Sequence, residues 1–281
     1  MHTEAQCDTV ECMNDCFLGA YDAFLIDIDG VLLCEHKPVA GSPAALHRLT
    51  KSGRVLLLTN NSTRSRQQHA MRLADAGFDV PAEWILPTSY LAAKYLLDKF
   101  GPISTWVLGE AGLREEIGNA GHRFADRPEE AEALVVGMDR HFDYEGLTAA
   151  YRALAAGARF IATNEDGTYP VPGGFHPGAG AMVGALRGMG FVPHAVIGKP
   201  SPTPYRAALA RLDIAPSRVV MIGDRLETDI VGANDMGLAT ALVLSGVSAA
   251  VDVESVGVRP TWIAADLATL VHEEGSALPL S

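Results

Sequence analysis

The chain has 281 residues, a formal net charge of −12, 48% hydrophobic residues and 20% charged ones. This is the composition of a soluble globular protein with room for a core, and the length favours two domains over one. The acidic balance excludes the basic surfaces that nucleic acid or an anionic membrane would require, so an anionic ligand would need positive charge supplied locally by its site.

The first residues, MHTEAQCDTVECMNDC, form a polar leader expected to lack order over 1–18. It has no basic start followed by an apolar core, so it does not read as a signal peptide, and no apolar run reaches membrane-spanning length. Cys7, Cys12 and Cys16 fit no common zinc spacing. Like Cys34, they read as free thiols of a reducing, cytoplasmic setting.

AFLIDIDGVLL (23–33) follows. Four apolar residues predict a buried strand, and it ends in Asp27 and Asp29, on one side of the chain with Ile28 opposite. Gly30 lets the backbone turn. Paired acids at the end of a buried strand require a cation between them. An EF-hand loop would need an acid or amide at Leu25 and a glutamate at His36, and both are missing. A magnesium site with a nucleophilic carboxylate fits better, because Mg²⁺ takes one or two carboxylates and leaves room for phosphate oxygens.

SPAALHRLTKSG (42–53) predicts a helix with Ser42 as cap, Pro43 at its first position and Gly53 as stop. RVLLLTN (54–60) is the next strand. It ends in Thr59 and Asn60, and Ser62 is placed to cap the following helix. Backbone N–H groups and a hydroxyl at such an end can cradle a phosphate, although Asn-Asn-Ser is also ordinary turn chemistry. Strands are predicted at 105–110, 133–139 and 159–164, then at 194–198, 218–224 and 239–246, with a weaker candidate at 261–266. Their even apolar character predicts strands covered on both faces, and alternation with helices predicts an α/β fold with a doubly wound, largely parallel, Rossmann-like sheet. GAGAMVG (178–184) has the wrong spacing for a dinucleotide fingerprint and reads as a hinge and helix returning to the core. VIGKPSP places Lys199 just after a short strand. TPYRAALARL predicts a helix starting at Thr203 and Pro204. VVMIGDRLETDI ends a strand in Asp224 and begins the next helix with Asp229 after Thr228, providing another hard-cation ligand near the sheet edge. The polar residues collect at strand C-termini, where open α/β sheets bind ligands.

D-x-D-G, T-N-N-S, G-K-P and G-D-x-x-x-x-D, in that order, resemble the haloacid dehalogenase superfamily of phosphotransferases. The resemblance implies that Asp27 attacks phosphorus and carries an aspartyl-phosphate. It implies that Asp29 protonates the leaving oxygen and then activates water. Mg²⁺ is then held by the carboxylates of Asp27 and Asp224 and the backbone carbonyl of Asp29. Thr59, Asn60, Asn61 and Lys199 bind the phosphoryl oxygens, and Asp229 orients Lys199 or a metal-bound water. The 139 residues between Thr59 and Lys199 are too many for one connection in a compact sheet. The expectation is a catalytic core of 19–87 and 187–281 with an inserted α/β cap domain at 88–186.

That insert, with ATNEDGTYPVPGGFHPGAGAM, resembles the NagD-like branch with a large α/β cap. The branch includes para-nitrophenylphosphate, phosphoglycolate, glycerol-phosphate, pyridoxal-phosphate and nucleotide phosphatases. It implies a small phosphorylated metabolite as substrate, phosphoglycolate- or glycerol-phosphate-like, with a nucleotide or pyridoxal phosphate as the alternative. A homodimer through the cap is also implied. Within the loop Asn164 to His176, Tyr169 and His176 are the expected substrate contacts, while Pro170, Pro172, Gly173 and Gly174 can serve only to stiffen and turn it.

Overall fold

The computed structural model describes residues 17–171, 173–271 and 278–279. Cys7, Cys12, Cys16, the expected leader up to residue 16 and Pro172 lie outside them. The last two leader positions are ordered: residues 17–20 are helical, and Phe17 is fully buried, edge-on to Tyr21 and Trp262. An aromatic anchor overrides the polar composition that precedes it.

The chain forms two compact units. One comprises Met1–Leu57, Ala74–Asp79 and Ala208–Ser281, the other Leu58–Leu73 and Val80–Ala207. The second is wider than the expected 88–186, for two reasons. The strand Ala195–Val196 pairs with Arg159–Ala162, and the loop after Thr59 is hydrogen-bonded into the second unit's own elements, as described below.

In the first unit the strands Trp262–Ala264, Ala239–Val243, Val219–Gly223 and Ala23–Asp27 lie side by side in that order, all parallel. Arg54–Thr59 follows beyond Ala23–Asp27, its last two residues passing into the second unit, and Leu278–Pro279 pairs antiparallel on the outer side of Trp262–Ala264. The chain winds outward from Ala23–Asp27 in one direction and returns on its other flank at Val219–Gly223. The gap between these two strands is therefore the switch point of a doubly wound sheet, the place where such sheets bind ligands. Both strands are buried along their whole length, as their unbroken aliphatic runs require. Each buried Leu or Ile contributes about 1.5–3 kcal/mol.

The helix Ser42–Ser52 begins differently from its sequence prediction. Gly41 occupies the cap position at φ 74°, while the Ser42 hydroxyl donates to the carbonyls of Leu32 (3.0 Å) and Val39 (2.7 Å). Ser42 thus ties down the turn after Asp29 and Gly30. Gly53 ends the helix as expected, its N–H donating to the Leu49 carbonyl.

The second unit has a five-stranded sheet in the order Ala195–Val196, Arg159–Ala162, Ala133–Val136, Ser104–Leu108, Arg123–Phe124, with every pairing parallel. Helices Tyr144–Ala155 and Ala179–Gly188 pack on it around Leu134, Val136, Phe160, Val183 and Leu186. GAGAMVG thus opens a helix that stays in the second unit. Its glycines are packing devices: a Cβ at Gly178 would meet the Asp166 carbonyl at 2.3 Å. The stretch expected to read substrate is a hairpin, Thr168–Val171 against Gly174–Pro177. Among the described residues no helix is long and apolar enough to cross a membrane.

Candidate active site

Asp27, the last residue of its strand, is 7% exposed, and Asp224, just past Val219–Gly223, is 1% exposed. Both stand at the switch point. Asp229 joins them from the turn Leu226–Ile230 and is fully buried. One oxygen from each of the three carboxylates lies within 4.8 Å of the others. Missing side chains allow this approach. A Cβ at Gly246 would sit 1.9 Å from Asp224 Oδ2, and one at Gly223 would sit 2.3 Å from Asp229 Cγ. Backbone groups fix the acids further. The Val247 N–H donates to Asp224 Oδ2 (2.8 Å), and the Arg225 N–H donates to Asp229 Oδ2 (3.2 Å).

Three buried anionic oxygens at this range repel one another, and burial raises the cost of their charge. The donor set is all oxygen, with no imidazole or thiolate, and three carboxylates suit a hard dication such as magnesium better than zinc or copper. Asp27 and Asp224 stand together as the sequence reading expects. Asp229, expected to add a hard-cation ligand at the sheet edge and to orient Lys199 or a metal-bound water, places its carboxylate in the same cluster. Asp29, half-buried, follows on the turn, and its own carboxylate is outside the trio. Gly30, at φ 93°, donates its N–H to the Leu33 carbonyl at 2.7 Å, which folds the chain back after the pair. Its carbonyl accepts from the Ser245 hydroxyl (2.7 Å). The segment Ser245–Ser248, which supports both Gly30 and Asp224, carried no recognisable signal in the sequence.

The second unit holds the other set. Thr59 is 3% exposed, and its hydroxyl accepts from the Asn61 N–H at 3.1 Å. The Asn61 side chain accepts from the Thr63 N–H (3.0 Å) and hydroxyl (2.7 Å), closing the turn. The Asn60 carbonyl accepts from the Thr88 hydroxyl (2.8 Å) and from Asn164 Nδ2 (2.7 Å). Lys199, 3% exposed, donates from Nζ to the Leu58 carbonyl at 3.3 Å, so its ammonium is held beside the same strand end. Ser62 is not the helix cap: its hydroxyl accepts from the Met138 N–H (3.2 Å). The helix Arg66–Asp75 is capped by Ser65, which exchanges hydrogen bonds with Gln68 (Ser65 N–H to Oε1, 3.0 Å; Gln68 N–H to Oγ, 3.3 Å). That capping box was legible as S-x-x-Q. Asn164 and Asp166, which both reach Asn60, went unassigned in the sequence although N-x-D follows a strand directly.

Tyr169 and His176 are direct partners across the hairpin, their rings 5.8 Å apart and edge-to-face. Nearby on the second unit's sheet edge, Arg140 grips Glu110 in a bidentate pair (Nε–Oε1 2.7 Å, Nη2–Oε2 2.6 Å). Burial pushes the Glu110 carboxyl up, and the Arg140 guanidinium and backbone N–H bring it below its ordinary value.

Known proteins resemble this chain in sequence and in fold. A family model described as haloacid dehalogenase-like hydrolase matches residues 24–123, and a second, for HAD-like hydrolases, matches 196–270. The chain is 36% identical to the D-glycerol 3-phosphate phosphatase of Mycobacterium tuberculosis over 93% of its own length and 74% of the relative's. It is 37% identical to the ribonucleotide monophosphatase NagD of Escherichia coli K12, over 85% of this chain and 94% of that one. The crystal structure of the M. tuberculosis glycerol phosphate phosphatase in complex with magnesium superposes with a TM-score of 0.83 at 36% identity, covering 90% of this chain and 77% of that one. With its carboxylates at the switch point and relatives of this identity and coverage, the chain belongs to the haloacid dehalogenase-like hydrolases, in the NagD-like phosphatase branch.

Proposed function

We propose that this protein hydrolyses small phosphomonoesters with magnesium, through an aspartyl-phosphate on Asp27. The observation that carries the reading is the buried trio Asp27, Asp224 and Asp229 at the switch point. These carboxylates, with the Asp29 backbone carbonyl, would hold the ion. Bound there, magnesium supplies the charge compensation that lets a carboxylate approach a phosphate dianion.

The Asp27 oxygen forms a bond to phosphorus as the bond from phosphorus to the ester oxygen breaks. Asp29 gives its proton to the departing alkoxide. Asp29, now ionised, takes a proton from water while the water oxygen attacks phosphorus. The bond to Asp27 breaks, releasing inorganic phosphate and restoring both carboxyl groups. Thr59, the Asn60 and Asn61 N–H groups and the Lys199 ammonium bind the phosphoryl oxygens and stabilise their growing charge. In this reading the second unit is the cap that reads the leaving group, with Tyr169 and His176 as contacts.

The substrate favoured is a small ester such as glycerol phosphate or phosphoglycolate, in line with the M. tuberculosis relative. A nucleotide or pyridoxal phosphate is the second reading. The Tyr169–His176 ring pair and the exposed Phe175 favour it, since they offer aromatic surface to a flat leaving group. An exposed free thiol at Cys34 suits a reducing cytoplasm. A homodimer through the second unit belongs to the same reading, as the family resemblance implies. Chromogenic phosphate should be hydrolysed with magnesium and spared with chelator. Comparing kcat/KM for glycerol phosphate, phosphoglycolate, a nucleoside monophosphate and pyridoxal phosphate separates the two substrate readings. Hydrolysis that persists unchanged in chelator overturns the metal-dependent mechanism.

A further inference from the structure

The Asn60 side chain has a role distinct from its backbone. Its carboxamide faces the backbone of Lys199, 139 positions later in the chain, and pairs with it in both directions. Asn60 Oδ1 accepts from the Lys199 N–H (2.8 Å), and Asn60 Nδ2 donates to the Lys199 carbonyl (2.9 Å). This reproduces the pairing of a sheet with a side chain in place of a strand. The second Nδ2 hydrogen reaches Asp166 Oδ2 (3.1 Å), so the amide's orientation is settled by three partners. The fit is close. A Cβ on Gly198 would lie 2.6 Å from Asn60 Oδ1, 2.8 Å from Asn164 Cβ and 2.8 Å from the Thr163 carbonyl, so only glycine admits the carboxamide there.

The Lys199 ammonium sits at the far end of a flexible side chain, and its position follows from where its backbone is held. Lys199 comes just past the two-residue strand Ala195–Val196; the preceding Ile197 and Gly198 N–H groups donate to the carbonyls of Ala162 (2.9 Å) and Thr163 (2.7 Å), and at Lys199 itself the Asn60 carboxamide takes over this pairing. We propose that Asn60 is a positioning residue for Lys199. Its carboxamide pins the lysine backbone so that the ammonium stays beside the Thr59 strand end, and Asp166 holds the carboxamide in that orientation. This inference rests on the reading of Lys199 as a phosphoryl-binding residue. Asp166 also stands at the base of the hairpin carrying Tyr169 and His176. Its backbone carbonyl accepts from the Gly180 N–H at 2.9 Å at the start of the following helix, which fixes the loop that presents the carboxylate.

The test is a mutant cycle on the full chain: wild type, N60A, K199M and N60A/K199M. For each, kcat and KM for p-nitrophenyl phosphate with magnesium are measured, together with the inhibition constant of inorganic phosphate and the thermal midpoint. The expected result for N60A is a kcat/KM loss of about ten- to a hundredfold, with weakened phosphate inhibition. In the K199M background the same substitution should cost less than about twofold, because its target is gone. G198A, which crowds the carboxamide from the other side, should reproduce the N60A defect and its cancellation by K199M. It provides the answer if N60A fails to fold. Additive losses, or N60A with wild-type phosphate inhibition, overturn the inference while leaving the phosphatase reading intact. K199M with unaltered kinetics and phosphate inhibition overturns the assignment of Lys199 itself, and the inference with it.

Discussion

The two sheets end very differently at the C-terminal edges of their parallel strands. The first unit gathers Asp27, Asp224 and Asp229 within 4.8 Å of one another. The second pairs opposite charges, as in Glu110 with Arg140. The same architecture thus produces one edge that needs an added cation and one that is balanced from within. The contrast teaches where to look for chemistry: a charge pair explains its own presence, whereas a buried cluster of like charge points to something it binds.

Removing the nucleophile should strain this contrast most. Asp27→Asn should lower phosphatase turnover roughly 10⁴-fold or more, as loss of a nucleophile does elsewhere. Its melting temperature should equal or exceed that of the wild type without magnesium, because one of three repelling charges is gone. Full activity in this variant would show that the cluster is structural. Next comes Asp224→Asn, which should weaken magnesium activation by at least about tenfold, read from the magnesium dependence of kcat. Magnesium should also raise the melting temperature of the wild type and raise it less in this variant. Gly246→Ala should imitate it from a neighbouring position, since the added methyl would collide with Asp224 Oδ2, and overpacking there should cost about 1–3 kcal/mol.

On the balanced edge the effects should be smaller. His176→Ala should reorder the preference among phosphate esters while hydrolysis of a small chromogenic ester persists within about tenfold, a pattern read from kcat/KM across the panel. Glu110→Gln should have the least effect. The Glu110 carboxyl titrates below its ordinary 4.5 when folded, so its pairing with Arg140 stabilises the fold above that pH. The contribution disappears as pH falls through the lowered value. The stability gap between wild type and Glu110→Gln should therefore be present at pH 7, at no more than about 1 kcal/mol for a partly exposed pair, and should close in acid. A gap that widens in acid would contradict the pairing.

Much of this was legible in the sequence because it rests on short-range patterns. Unbroken aliphatic runs marked the strands, and the acids that follow them marked the switch-point edge. The alternation of strands and helices marked the winding. What stayed hidden depends on long-range geometry. Nothing about Ser245 to Ser248 announces that it wraps Asp224, because it acts through backbone N–H groups and a missing side chain. Ala195–Val196, only two residues long, declares its partner strand Arg159–Ala162 by hydrogen bonding alone, so no pattern in the sequence assigns it to the second unit's sheet. Residue type makes caps of Ser42 and Ser62, yet both hydroxyls are spent on other backbone groups, the carbonyls of Leu32 and Val39 and the N–H of Met138.

The proposed chemistry turns on a dication held among Asp27, Asp224 and Asp229. Crystals grown with manganese in place of magnesium, and measured for anomalous scattering, address it directly. One strong peak is expected about 2.0–2.3 Å from carboxylate oxygens of Asp27 and Asp224. Active protein whose crystals show no peak there, or a peak bound to other residues, would contradict it.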